Sequence, residues 1–134
     1  MHILITGASS GLGAALAEEY AAKGVTLSLQ GRDSGRLKKV AESCEKRGAV
    51  AHTVLIDVTD KEEMAAWIHA SDARLPLDLV IANAGVSAGT GDYKETEEQS
   101  RHIFNVNLTG VLNTIHPAIP LMAARKRGQI ALMS

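Results

Sequence analysis

A short apolar run, Ile3-Leu4-Ile5, stops at Thr6-Gly7, and two more glycines follow at Gly11 and Gly13. An alanine-rich helical pattern then begins, for which the spacing predicts a stripe of Leu12, Ala15, Leu16 and Tyr20. A strand, a tight glycine turn and a helix N-terminus make a seat for a phosphate group. The glycines let the backbone turn sharply and let an anion come close to it. Unpaired N–H groups and the positive end of the helix dipole then face that anion. The spacing is T-G-x-x-x-G-x-G rather than the commoner G-x-G-x-x-G, and no Gly-Lys-Ser/Thr follows, which excludes a P-loop. The candidate contacts are Gly7, Ser9, Ser10, Gly11, Leu12 and Gly13. The plain alternative is a strand-to-helix turn, packed at Gly13, with no ligand.

Short apolar runs and helical stripes alternate along the rest of the chain. Val25 to Leu29 reads as a second strand; Asp33 or Ser34 can cap a helix with stripe Leu37, Val40, Ala41 and Cys44, ended by Gly48. Val50 to Ile56 is a third strand. Thr59-x-x-Glu62 has capping-box spacing before a helix carrying Met64, Trp67 and Ile68. Pro76 breaks the connection to a fourth strand, Leu77 to Ala82, which ends in Asn83-Ala84-Gly85. Residues 86–95 form a polar, glycine-rich loop. Thr96-x-x-Gln99 caps a long helix to about Ala124, expected to bend at Pro117 and Pro120; Gly128 closes it before a fifth strand, Ile130 to Met133.

Five strands alternating with helices predict an α/β fold, a Rossmann-type doubly wound parallel sheet of order 3-2-1-4-5. Ligands of such sheets bind at the carboxyl ends of the strands, near the switch point between strands 1 and 4. The 134 residues amount to one domain, and with 46% hydrophobic residues a core can form, although aromatics are only 3% and the aliphatic residues must supply it. A net charge of -1 argues against nucleic acid or an acidic membrane as main partner. The single cysteine, Cys44, leaves no internal disulfide or cysteine-rich metal site, and the five histidines (2, 52, 69, 102, 116) lack metal-ligand spacing, so no metal is expected. With no signal peptide before the first strand and no apolar run of bilayer length, a cytoplasmic protein is the simple expectation.

The motifs in order resemble those of the short-chain dehydrogenases/reductases. They are Thr6 to Gly13, Asp57-Val58, Asn83-Ala84-Gly85 and Asn105-Val106-Asn107-Leu108-Thr109-Gly110, and they cover essentially the whole chain. The resemblance implies a nicotinamide cofactor that moves hydride to or from a carbonyl or alcohol carbon. Arg32 follows strand 2, where the resemblance puts the adenosine ribose. A carboxylate there would accept from a 2′-hydroxyl and favour NAD. Gly31 leaves room instead, and Arg32 can pair with a 2′-phosphate, which implies NADP(H), with NAD as the alternative. The other reading of Arg32 is a solvated arginine neutralised by Asp33.

Asp57 matches a carboxylate near the adenine amino group, or else caps the next helix. Val58, Asn83, Ala84, Gly85 and Val106 complete the implied cofactor contacts, although Asn83-Ala84-Gly85 can also be a simple strand terminator. Ser87, Thr90, Asp92 and Tyr93 fall on the substrate side and name no substrate. Asn107 sits in mid-helix, a poor place for asparagine unless it serves something. The resemblance implies a role in a proton relay; the alternative is a buried asparagine that stabilises a kink. The long helix is apolar on several faces (Ile103, Phe104, Val106, Val111, Leu112, Ile115, Ile119, Met122), and the resemblance implies a homodimer or homotetramer through residues 96–124.

The family's chemistry also needs a serine and a Tyr-x-x-x-Lys pair on a helix after strand 5. Tyr20 and Tyr93 begin no such motif. Ser134 aligns with the first of two serines that often end this strand, the second being catalytic, and stays beside Asn107 as a candidate catalytic residue that the resemblance implies. The chain therefore reads as the amino-terminal, cofactor-binding half of such an enzyme, truncated after strand 5 and inactive alone. The reading from another class is a non-catalytic module that binds NADP(H) or a partner.

Overall fold

The computed structural model describes residues 1–87 and 95–133. Five parallel strands form one sheet: β1 (His2–Ile5), β2 (Thr26–Gly31), β3 (Val50–Leu55), β4 (Leu79–Ala82) and β5 (Gln129–Leu132). Their order is β3-β2-β1-β4-β5, as the alternation of elements requires. Between them lie α1 (Gly11–Tyr20), α2 (Ser34–Lys46), α3 (Lys61–Arg74), α4 (Glu97–Phe104) and α5 (Gly110–Ala124). A π-helical turn, Asn105–Thr109, joins α4 to α5.

The two faces of the sheet are read off alternate residues of β1. Ile3 and Ile5 pack with Leu27, Leu29 and Ile81 against α1 and α2. Leu4 points the other way, with Val80, onto Met64 and Ile68 of α3 and Ala118 and Met122 of α5. Each central strand is covered on both sides, which is why β1 and β4 read as near-continuous apolar runs, whereas β2 buries the polar Ser28 and Gln30 beside Leu27 and Leu29. Small side chains do much of this packing, Ala17 and Ala21 among them, and so α1 and α2 can lie close to the sheet.

Three local expectations are corrected. The buried stripe of α1 is Gly13 and Ala17, with Ala14 and Leu16 partly buried, while Leu12 and Tyr20 are exposed. The helix is rotated so that its smallest residues meet the sheet. Thr59 does not cap α3: Asp60 does, accepting from the N–H groups of Glu62 and Glu63. The Thr59 hydroxyl instead donates to Asp57 at 2.8 Å. The long helix continues through Pro117 and Pro120, and a π turn at residues 105–109 interrupts its regular hydrogen bonding. The turn beyond α5 is made by Lys126 at φ 51°, ahead of Gly128. The predicted caps Asp33 and Thr96 are both present, Thr96 in a full capping box with Gln99.

Candidate functional site

The carboxyl ends of the strands open into one groove of about 650 Å³, within the usual range for a small-molecule site. Hydrogen bonds fix its floor. The Thr6 hydroxyl oxygen at the end of β1 accepts from the N–H groups of Asn83 (3.0 Å) and Ala84 (3.1 Å) beyond β4. The Asn83 side-chain amide donates back to the Thr6 carbonyl at 3.0 Å. These bonds hold the two strand ends together at the switch point.

Gln30 does the same on the other side. Its buried side-chain carbonyl accepts from Gly7 N–H at 2.9 Å, and its amide donates to Ile56 O at 2.5 Å. The glycine turn is thus tied to β2 and β3 as well. Sequence reasoning missed Gln30, whose two partners lie 23 and 26 residues away in the chain.

Within the turn, Gly7 has φ 67° and Gly11 φ 56°, backbone regions that L side chains rarely adopt. A Cβ on Gly7 would stand 2.8 Å from Ala84 Cα, whereas one on Gly11 would meet nothing within 4 Å. Gly11 therefore faces open space at the mouth of α1. Ser10 occupies the N-cap position, but its side chain makes no capping bond, and no acidic residue stands in the first turn. Among the described residues the first-turn N–H groups have no side-chain partner, which leaves them for an anion.

Most residues singled out in the sequence line this groove: Gly7, Ser9, Ser10, Gly11, Leu12, Arg32, Asp57, Val58, Asn83, Ala84, Gly85 and Val106. Gly13 lies behind it, where α1 meets the turn. Asp33, Arg36 and Val86 also line it and were not singled out as site residues. Asn107 is exposed rather than buried, on the π turn. Its side chain accepts from Val86 N–H at 2.8 Å and donates to Val86 O at 2.9 Å. Ser87 is exposed. Thr90, Asp92, Tyr93 and Ser134 lie outside the described residues.

The charges at the Arg32 end of the groove are arranged differently from the simple expectation. Asp33 accepts from Arg36, side chain to side chain at 2.9 Å, rather than neutralising Arg32. Arg32 faces Asp57 instead, at 3.9 Å, and is 57% exposed on its side chain. The carboxyl of Asp57 is held below its ordinary pKa, first by the backbone N–H of Thr59, against partial desolvation, and further by the Thr59 hydroxyl and Arg32. Among the described residues, no three His, Cys, Asp or Glu side chains gather as a metal site would need. No helix among them is long and apolar enough to cross a membrane.

A parallel sheet of order 3-2-1-4-5 with a glycine turn and a groove at the switch point defines a doubly wound, Rossmann-type α/β protein. The family model for short chain dehydrogenases matches residues 1–134, and the chain belongs to that family. An uncharacterized oxidoreductase of Myxococcus xanthus is 38% identical over 132 residues, 98% of this chain and 52% of its own length. The chain spans about half the length of the curated relatives it matches in this way. A metagenomic short-chain oxidoreductase solved in complex with NADP has a TM-score of 0.88 at 28% identity, over 100% of this chain and 61% of its own. A short chain dehydrogenase of Mycobacterium paratuberculosis bound to NAD has a TM-score of 0.88 at 26% identity, over 99% and 55%.

Proposed function

We propose that the protein is an oxidoreductase that uses a nicotinamide dinucleotide, NADP(H) by preference, on a small carbonyl or alcohol substrate. The observation that carries this reading is the meeting of the uncapped N-terminus of α1 with the Arg32 guanidinium in one groove. The residues fit such a cofactor. Gly11 leaves the backbone bare where a pyrophosphate would come close, while Gly7 packs the turn against Asn83 and Ala84. Gly31 brings β2 close to Ser9 rather than leaving open room. Arg32 gives charge for a 2′-phosphate, Asp57 and Val58 flank an adenine, and Asn83 to Gly85 offer small residues to the nicotinamide side.

When bound, the nicotinamide supplies the hydride. The chain's own residues hold and orient. Asn107 fixes the backbone of Val86, and in this reading that bond shapes the wall beside the substrate. The tyrosine and lysine of the family's proton transfer belong, in this proposal, to the remainder of a longer protein, so that the 134 residues alone bind without turning over. Ser134, outside the described residues, is proposed as a catalytic serine of that longer protein. Phe104, Leu108, Leu112 and Ile119 are exposed on the long helix, which supports a homo-oligomer through residues 96–124. Calorimetric titration with NADPH and NADH tests the reading. Tighter binding of NADPH is expected; binding of neither would remove it.

A further inference from the structure

Asn113 lies on α5 in the core, 8% exposed, a place where an asparagine must find partners. It finds them outside its own helix. Its side-chain amide donates to Val58 O at 2.9 Å and Thr59 O at 3.2 Å. These two carbonyls belong to the turn between β3 and α3, whose Asp57 and Val58 line the groove. One turn earlier on the same helix, Gly110 packs against that turn as well: a Cβ there would stand 2.5 Å from Val58 Cγ2. Asp57 is in turn fixed to the turn's far side, accepting from Thr59 N–H at 2.9 Å. The turn is thus seated on α5 by an amide and a glycine, and Asp57 is seated on the turn.

We propose that Asn113 is a positioning residue for the adenosine end of the groove. It acts through Val58 and Thr59, and so sets where Asp57 and Val58 stand. Asn107 does the corresponding work for Val86 across the groove. Both loops then hang on one helical segment, and the π turn at 105–109 sets the phase between their two anchors. A shift of that segment would move both ends of the groove together.

This inference rests on the cofactor reading above, and the test separates the two. The full-length protein and its Asn113→Asp and Asn113→Ser variants are titrated calorimetrically with 5′-AMP, which carries the adenosine half alone, and with NADPH. Thermal midpoints are recorded alongside, and Asn113→Ser keeps a small polar group in case the carboxylate prevents folding. Each variant is expected to weaken 5′-AMP and NADPH by the same factor, about five- to tenfold, the worth of roughly one hydrogen bond in placement. A lowered midpoint with both affinities unchanged would make Asn113 merely structural and overturn the proposal. A larger loss for NADPH than for 5′-AMP would overturn it too, because the effect would lie in the other half. Failure of the unaltered protein to bind either ligand would instead overturn the cofactor reading, and this inference with it.

Discussion

Gly13 presses its Cα against the carbonyl oxygen of Gly7, and this approach closes the glycine turn. A Cβ at residue 13 would collide with Gly7 O and would stand 2.6 Å from the Asn83 amide nitrogen. The obstruction is backbone on one side and a twice-bonded side chain on the other, so neither can step aside cheaply. Gly13→Ala should lower stability by about 1–3 kcal/mol, the usual cost of overpacking. Gly11→Ala meets no atom, and its cost comes only from a φ of 56°. Urea denaturation of the two variants checks the order. Equal or reversed losses would mean that the turn is less tightly closed than this geometry says.

The role of Arg32 can be separated from its surface charge. Arg32→Ala should weaken NADPH by about 1.5–3 kcal/mol, the usual worth of a charged hydrogen bond. NADH, which has no 2′-phosphate, should barely change. Fluorescence titration with both cofactors reads the difference. Equal losses would show that Arg32 acts on the adenosine in general, or through its neighbour Asp57 at 3.9 Å.

His2 makes stability depend on pH at the opposite end of the sheet. Its ring is fully buried: Nδ1 lies 2.6 Å from Leu75 O and Nε2 2.9 Å from the Ser28 hydroxyl. The carbonyl can only accept, so Nδ1 carries the proton and the neutral Nε2 accepts from Ser28. Burial lowers the pKa below the ordinary 6.5, the bond to Leu75 O opposes this, and His52 and Arg74 lower it further while Asp72 raises it. A histidine that is harder to protonate when folded leaves the unfolded chain with more bound protons in acid. Its contribution is therefore complete above about pH 6.5 and falls as pH drops toward the folded value. His52, also lowered by desolvation, pulls the same way. The slope for one such proton is at most about 1.4 kcal/mol per pH unit. His2→Gln should flatten the profile between pH 7 and 5 in thermal unfolding; an unchanged profile would place the acid sensitivity elsewhere.

The exposed apolar residues of the long helix carry the oligomer proposal. Phe104, Leu108 and Leu112 recur every four residues and are 69%, 57% and 42% exposed. Leu108→Glu should shift the protein to a lighter species in sedimentation velocity and leave the thermal midpoint of that species unchanged. If the unaltered protein already sediments as a monomer, the exposed stripe is covered by something other than a second copy.

The sequence signals that worked were those set by the backbone and by burial. The glycine turn, the alternation of elements and the stripe Leu37, Val40, Ala41, Cys44 all follow from φ values, period and apolarity, which are local. The α1 stripe was misread because Leu12 and Tyr20 are large and apolar, yet the sheet takes Gly13 and Ala17, the residues that allow close approach. Thr59 had capping-box spacing, but Asp60 is nearer the helix start and the Thr59 hydroxyl is engaged by Asp57. Gln30 and Asn113 were invisible as partners because their bonds span 26 and 55 residues of chain. Nothing local distinguishes such an amide from an ordinary polar residue. The pairing of Asp33 with Arg36, rather than with Arg32, is local by contrast, an i,i+3 contact that forms only because α2 starts at Ser34 and brings Arg36 back over its cap.

One long-range ion pair ties the end of α5 into the fold. The Arg125 guanidinium donates to both carboxylate oxygens of Asp72, at 2.8 and 3.0 Å, and to Leu77 O at 2.7 Å. Asp72 also accepts from Leu77 N–H at 2.8 Å. The side chains are 25% and 13% exposed, so water screens the pair only in part. Burial raises the pKa of Asp72, but the Arg125 and Leu77 hydrogen bonds outweigh it and leave the carboxyl below its ordinary value. Arg125→Met keeps the apolar stem and removes the charge, leaving Asp72 half-paired and Leu77 O without its donor. The expected loss is about 1.5–3 kcal/mol, the range for hydrogen bonds to charged groups. Asp72→Asn still offers Arg125 an acceptor oxygen and should cost less. The double variant should cost less than the sum of the two, because the second change removes a group the first has already stranded. Denaturant midpoints of the four proteins close this cycle. Strict additivity would mean that the two side chains are stabilised by their separate bonds to Leu77 and Leu121 and not by each other.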